Sequence, residues 1–348
     1  MTRILLAVSL AALAYAPIAG AQNTSELRIR LQAGGDVPAS GALVALIDAH
    51  DSVVAEGLTG ERGTRLLRAP PGSYRVRVRR IGFRPFFSPP VSLPHDGELL
   101  LQVESPRVAL QSIVVNSRSQ CKRNDPNAQT LSLVWDEVEK ALRSSQITTA
   151  DLAGVGHGEI FHRSLSADGV ELAADTTFFT IGSRRPFVAI SSERLASDGY
   201  VTGDEDSGWS YYGPDETVLL SEEFAESHCF RLVRDREHSG QIGVAFEPAP
   251  THRIADITGV LWVDEATSEL RQIVFRFANA GPMSRFDAGG FTHFKRLPSG
   301  AWIVDDWRLR VPQLEKRQEP YSPPHLVRTG YKEDGGRILA GQAGAGKS

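Results

Sequence analysis

The stretch Ala69-Pro70-Pro71-Gly72-Ser73-Tyr74-Arg75-Val76-Arg77-Val78-Arg79-Arg80-Ile81-Gly82-Phe83 decides how the first third of the chain is read. After the Pro-Gly turn, Tyr74, Val76 and Val78 point one way while Arg75, Arg77 and Arg79 point the other, which is the period of a half-buried strand. Working outward, Leu27, Ile29 and Leu31 alternate with Arg28 and Arg30 in the same manner. Ala42 to Ile47 and Val53 to Ala55 follow, joined by the turn-prone Asp48-Ala49-His50-Asp51-Ser52, and Glu98 to Val103 with Ile113 to Val115 close the set. Short strands separated by Gly and Pro predict a β-sandwich.

The quoted stretch, with its Gly-x-Tyr turn into an alternating strand that ends in Gly-aromatic, resembles carboxypeptidase regulatory-like domains, which are similar to transthyretin. The resemblance implies a prealbumin-type sandwich over residues 25–116 and a non-catalytic accessory role. In that family the module often precedes the plug of outer-membrane transporters, and Leu110-Gln111-Ser112-Ile113-Val114-Val115 resembles the join between the two. Too little chain follows for a transporter barrel.

Residues 117–129 are polar and contain Asp125-Pro126, a linker signal. Beyond them Leu131, Val134, Trp135, Val138, Ala141 and Leu142 recur every three or four positions, predicting a helix whose Asp136, Glu137, Glu139, Lys140 and Arg143 face outward. Strands are expected at Glu159 to Leu165, Thr176 to Ile181, Val244 to Phe246, Ile257 to Asp264, Leu270 to Phe277, Phe291 to Arg296 and Ala301 to Val311. The expected fold is therefore mainly β: the sandwich, then over residues 130–340 a curved antiparallel sheet with one packed helix. The run Asp256 to Asp264 with Glu269-Leu270-Arg271 resembles the repeating hairpins of the lipoprotein-carrier half-barrel family.

The chain has 348 residues, 41% hydrophobic and 23% charged, enough apolar material for packed cores in about two domains. Lys+Arg 38 against Asp+Glu 42 argues against general nucleic-acid binding. Thr2-Arg3, the apolar run Ile4 to Ala16 and the Ala19-Gly20-Ala21 end read as a signal peptide over residues 1–21. The run is shorter than the ~20 residues a membrane span needs, and no cysteine follows it to carry a lipid. A periplasmic or extracellular protein without a transmembrane segment is expected. In that oxidising setting Cys121 and Cys229 either form a disulfide or remain two buried thiols. Cys121, Leu133 to Glu137, Trp209 to Asp215 and His228 to Val233 also resemble a group of exported bacterial proteins that carry a regulatory-like sandwich. That resemblance implies pairing of the two cysteines and supplies no activity.

Candidate chemistry is sparse. Gly341 to Ser348 matches the phosphate-binding loop pattern, but no helix follows to hold phosphates, so a flexible tail and no nucleotide are expected. His95-Asp96-Gly97-Glu98 has a zinc-ligand spacing inside a turn of the accessory module, and Asp204-Glu205-Asp206 lacks the distant acid of a calcium loop. His228 beside Cys229 suggests a Cys-His site only if the sulfur is reduced. His157, His162, His252 and His293 are scattered. No catalytic residue, metal or cofactor is assigned.

The possible ligand surface consists of Arg75, Arg77, Arg79 and Arg80, suited to an anion, with the aromatics Trp209, Tyr211, Tyr212, Trp262 and Trp302. A half-barrel would place Trp262, Phe275, Phe277 and Trp302 on an apolar concave face. The expected function is a non-enzymatic envelope protein that binds a lipid, lipoprotein, glycan or protein partner. The rival readings are an envelope hydrolase and a structural adaptor for an outer-membrane protein.

Overall fold

The computed structural model describes residues 24–103, 110, 128–152, 155–181, 190–204, 207–286, 288–319 and 322–339. Outside them lie the expected signal peptide, Cys121, all but the end of the expected linker, and the tail at 341–348. The described chain is mainly β.

Residues 25–103 fold as two sheets face to face. One has the order β4 (Thr64–Ala69), β1 (Ser25–Ala33), β8 (Glu98–Val103), with β1 antiparallel to β4 and parallel to β8. The other runs β3 (Val53–Leu58), β2 (Leu43–Ile47), β5 (Gly72–Arg79), β6 (Phe86–Phe87), with β7 (Val91–Leu93) also on β5. The alternation in the sequence becomes the core: Leu27, Ile29 and Leu31 pack against Val44, Leu46, Val76 and Val78. Burying each such side chain contributes about 1.5–3 kcal/mol. Tyr74 is buried with them, and its hydroxyl donates to the Pro70 carbonyl at 2.9 Å.

The rest of the chain is built on a nine-stranded antiparallel sheet ordered β10 (Glu171–Thr180), β9 (His157–Ser166), β19 (His325–Leu339), β18 (Trp302–Arg317), β17 (Gly289–Arg296), β16 (Leu270–Ala278), β15 (Asp256–Asp264), β14 (Gln241–Pro248), β13 (His228–Val233). The long helix α1 (Ala128–Asp151) covers one face. Its Val134, Val138, Ala141 and Leu142 share a core with Val244, Leu261, Ile273, Phe275, Phe277, Phe294 and Trp302. The apolar face that a half-barrel would leave open is filled by this helix.

Three short helices join α1, where the sequence reading expected a single helix. They are α2 (Ser192–Asp198), α3 (Glu216–Leu219) and α4 (Glu222–Ser227), each opened by a side chain of Ser191, Asp215 or Ser221 accepting from a backbone N–H of the first turn. The hairpin of β11 (Val201–Asp204) and β12 (Gly208–Tyr211) lies beside them.

The sandwich and the large sheet are stitched together along α1. The turn after β5 enters the junction: Ile81 joins the α1 core, and the Gly82 N–H donates to Glu137 Oε2 at 2.7 Å. Lys140 Nζ donates to the Phe83 carbonyl at 2.9 Å and to Glu137 Oε1 at 2.8 Å, and also pairs with Asp136. Glu137 and Lys140 are 0% and 1% exposed, so the outward face expected for them is wrong. The turn lies over that face and supplies an amide and a carbonyl that replace water. Arg79 adds ion pairs to Glu139 and Asp136, Arg143 to Glu56, and Arg65 to Asp151. The backbones touch at Gly41, where a Cβ would stand 2.0 Å from the Gly300 carbonyl oxygen.

Candidate binding face

The sheet face opposite α1 carries a lattice of arginines and rings. Cross-strand register aligns Val274, Phe291, Arg308, Gly335 and Phe161 from β16 to β9, and beside them Arg276, Gly289, Arg310, Glu333 and Arg163. Arg308 lies over the Phe291 ring at 4.8 Å, Arg310 over Tyr331 at 5.3 Å, Arg328 over Tyr331 at 4.6 Å and Arg163 over Phe161 at 4.1 Å. Each contact combines the attraction of a cation for a ring face with the weak hydration of a guanidinium.

One buried carboxylate organises two of these arginines. Glu333 accepts from Arg310 Nε at 2.7 Å and pairs with Arg308 at 3.4 Å. At the edge of the patch His293 stacks on Phe291 at 4.5 Å between Asp306 and Gln272. Arg308 and Arg163 remain 37% and 40% exposed at the side chain, Arg163 with its Nε 3.5 Å from Glu171, so part of each guanidinium faces solvent. Glycine makes the packing possible, because a Cβ at Gly335 would stand 2.4 Å from the Phe161 ring.

The residues singled out in the sequence lie elsewhere and do not converge. Arg75 pairs with Asp51 at 2.6 Å on the exposed sandwich face. Arg77 is partly buried with Nε lacking an acceptor, and burial together with nearby Arg79 pulls its pKa below the usual guanidinium value. Arg79 is nearly buried in the α1 junction, and Arg80 lies over the Phe83 ring at 4.8 Å. The stripe is thus divided between solvent and an internal contact. Trp302 is 1% exposed in the core, and Trp262 is sealed by a parallel stack on His238 at 4.0 Å. Trp209, Tyr211 and Tyr212 pack part-buried against the α1 core. Tyr211 donates to Met283 Sδ at 3.2 Å, and burial pushes its pKa up to about 12.

Ser227, His228 and Asp256 stand in an order that suggests acyl transfer, with Ser227 Oγ 3.0 Å from His228 Nδ1 and His228 Nε2 3.2 Å from Asp256 Oδ1. The surroundings argue against it. His228 Nδ1 also faces the Phe224 carbonyl at 3.1 Å and Nε2 the Ile257 carbonyl at 3.3 Å, so neither nitrogen is kept free as a base. Ser227 Oγ donates to the Glu223 carbonyl at 2.7 Å. The adjoining void is about 10 Å³, too small for a substrate. His252 reaches the same carboxylate at 3.2 Å from the other side. This cluster ties α4 to β13 and β15.

Among the described residues no group of His, Cys, Asp and Glu is placed to hold a metal. Glu98 of the zinc-like spacing pairs with Arg30 at 2.6 Å, and Asp204 accepts from Ser207 at 2.7 Å. Cys229 is buried on β13 and is not a free thiol. Among the described residues no helix is long and apolar enough to cross a membrane.

The sequence reading missed the lattice. Arg308-Leu309-Arg310-Val311 and Phe161-His162-Arg163 do alternate, but only the strand register shows that Phe291, Arg308 and Phe161 meet across three pairings.

No family model and no curated protein matches the chain. Among solved structures it is similar to a 9R-lipoxygenase from Cyanothece PCC8801, at 10% identity and a TM-score of 0.17. That match covers 97% of this chain and 45% of the other, and at that score it carries no argument about fold or activity.

Proposed function

We propose that this chain is an exported, non-enzymatic binding protein of the bacterial cell envelope whose ligand is an acidic glycan. The observation that carries the reading is the arginine lattice over Phe161, Phe291 and Tyr331 on the face opposite α1. Stacked guanidiniums are held in place before a ligand arrives, so less side-chain entropy is lost when they pair with carboxylate or phosphate groups. A repeating polymer suits a surface on which arginines recur across strands rather than converging in one deep pocket.

Export rests on the basic start, apolar run and Ala-x-Ala end of residues 1–21. A bond between Cys121 and Cys229 belongs to the same reading and is favoured by Cys229 not being a free thiol. Carriage of a lipid on the large sheet is disfavoured, because α1 occupies the apolar face. Affinity electrophoresis tests the proposal. The secreted chain should be retarded in gels containing alginate, a carboxylated polysaccharide, and should run freely in gels containing neutral dextran. Equal mobility in both would refute it.

A further inference from the structure

A second basic site shares no residue with that face and lies where the outer side of the β4-β1-β8 sheet meets the end of α1 and the turn between β17 and β18. The cleft there encloses about 650 Å³, within the usual range for small-molecule sites. Its wall presents Arg28, Arg30, Arg62 and Arg65 against only Glu98 and Asp151. Arg30 is neutralised by Glu98 at 2.6 Å and Arg65 by Asp151 at 3.1 Å. Arg28 and Arg62 make no ion pair or hydrogen bond among the described residues, so the cleft keeps an excess of positive charge.

Arg65 is also unusually placed. Its Nε is buried and has no acceptor. The guanidinium lies flat against the backbone of Gly57, where a Cβ would stand 2.2 Å from Nε and 2.5 Å from Cζ. Glycine at 57 therefore leaves room for this guanidinium. A buried donor without a partner is costly, and here the close packing on Gly57 fixes the guanidinium of a residue that lines the cleft.

We propose that this cleft binds a small multivalent oxyanion, a phosphate ester or polycarboxylate, with Arg28 and Arg62 supplying the charge and Arg65 the positioned donor. Guanidinium forks match the geometry of either group. Because the cleft is walled by both the sandwich and the α1 body, a bound anion would bridge them.

Titration calorimetry of the full secreted chain at low ionic strength, with pyrophosphate and citrate as probes, tests the site. Saturable binding of at least one probe is expected. Pyrophosphate alone would assign the phosphate class and citrate alone the carboxylate class. Because Arg28 and Arg62 are exposed, the double variant R28A/R62A should fold normally and bind at least ~10-fold more weakly. G57A should also weaken binding by displacing Arg65. R75A on the sandwich surface should bind as the wild type does. Failure of both probes to saturate, or unchanged binding by R28A/R62A, would overturn the proposal.

Discussion

Lys140 Nζ lies 2.8 Å from Glu137 Oε1 one turn earlier on α1, and solvent reaches neither side chain. The turn after β5 closes over them, with the Gly82 amide on Glu137 and the Phe83 carbonyl on Lys140. A pair sealed in this way fixes where the sandwich sits on the helix. Removing one partner strands the other charge, which typically costs about 3–5 kcal/mol. Lys140→Met should therefore lower the urea midpoint sharply, and adding Glu137→Gln should recover a large part of the loss. A wild-type midpoint for K140M would show that the pair does not hold the junction.

The same carboxyl predicts a pH dependence. Burial raises Glu137 above its ordinary value of 4.5, against the opposing pull of Lys140 and the Gly82 amide. From 4.5 upward the folded chain holds a proton that the unfolded chain has already released. Stability from this group therefore falls as pH rises through that window and levels off above the folded value. The melting-temperature difference between wild type and E137Q, followed upward from pH 4.5, should shift steadily against the wild type. A difference that moves the other way would mean that the pair's attraction outweighs burial.

On β19, between β9 and β18 of the large sheet, a Cβ at Gly336 would stand 2.3 Å from the Glu159 carbonyl oxygen and 2.4 Å from the Trp307 ring. Neither the strand pairing nor the buried indole has room to retreat. Gly336→Ala should destabilise by about 1–3 kcal/mol, as overpacking generally does. Equilibrium unfolding in urea measures this, and an unchanged midpoint would show slack in the sheet.

If the sulfurs of Cys121 and Cys229 are joined, C121S, C229S and the double variant should share one loss of stability, about 2–4 kcal/mol. Intact-mass measurement of the secreted chain with and without reductant should differ by two hydrogens. Equal masses would remove the bond from the account.

Much of the sandwich was legible, since its buried residues Leu27, Ile29, Leu31, Val76 and Val78 follow strict alternation, although β4, β6 and β7 were missed. Most strands of the large sheet, β9, β10 and β14 to β18, were also readable, while β13 was missed. β19 was missed too, although it joins β18 to β9. Its Lys332-Glu333-Asp334-Gly335-Gly336 run is charged and glycine-rich, which normally marks a loop. Here the glycines make room for Phe161 and Trp307, and Glu333 is neutralised by Arg308 and Arg310. Glu137 and Lys140 misled for a related reason: their partners come from residues 82 and 83, and no helical period reports a distant turn. The binding face depends on register across β16 to β9, so its residues gain meaning only when the strands are laid side by side.

Arg308 and Arg310 are the residues on which binding at the open sheet face turns. Fluorescence titration of the secreted chain with alginate oligosaccharides should show saturable binding that weakens as salt is raised. R308A/R310A/E333Q, in which the buried Glu333 is not left as an unpaired charge, should bind at least ~10-fold more weakly while remaining folded. Undiminished binding by that variant, or no binding by the wild type at low salt, would contradict the account.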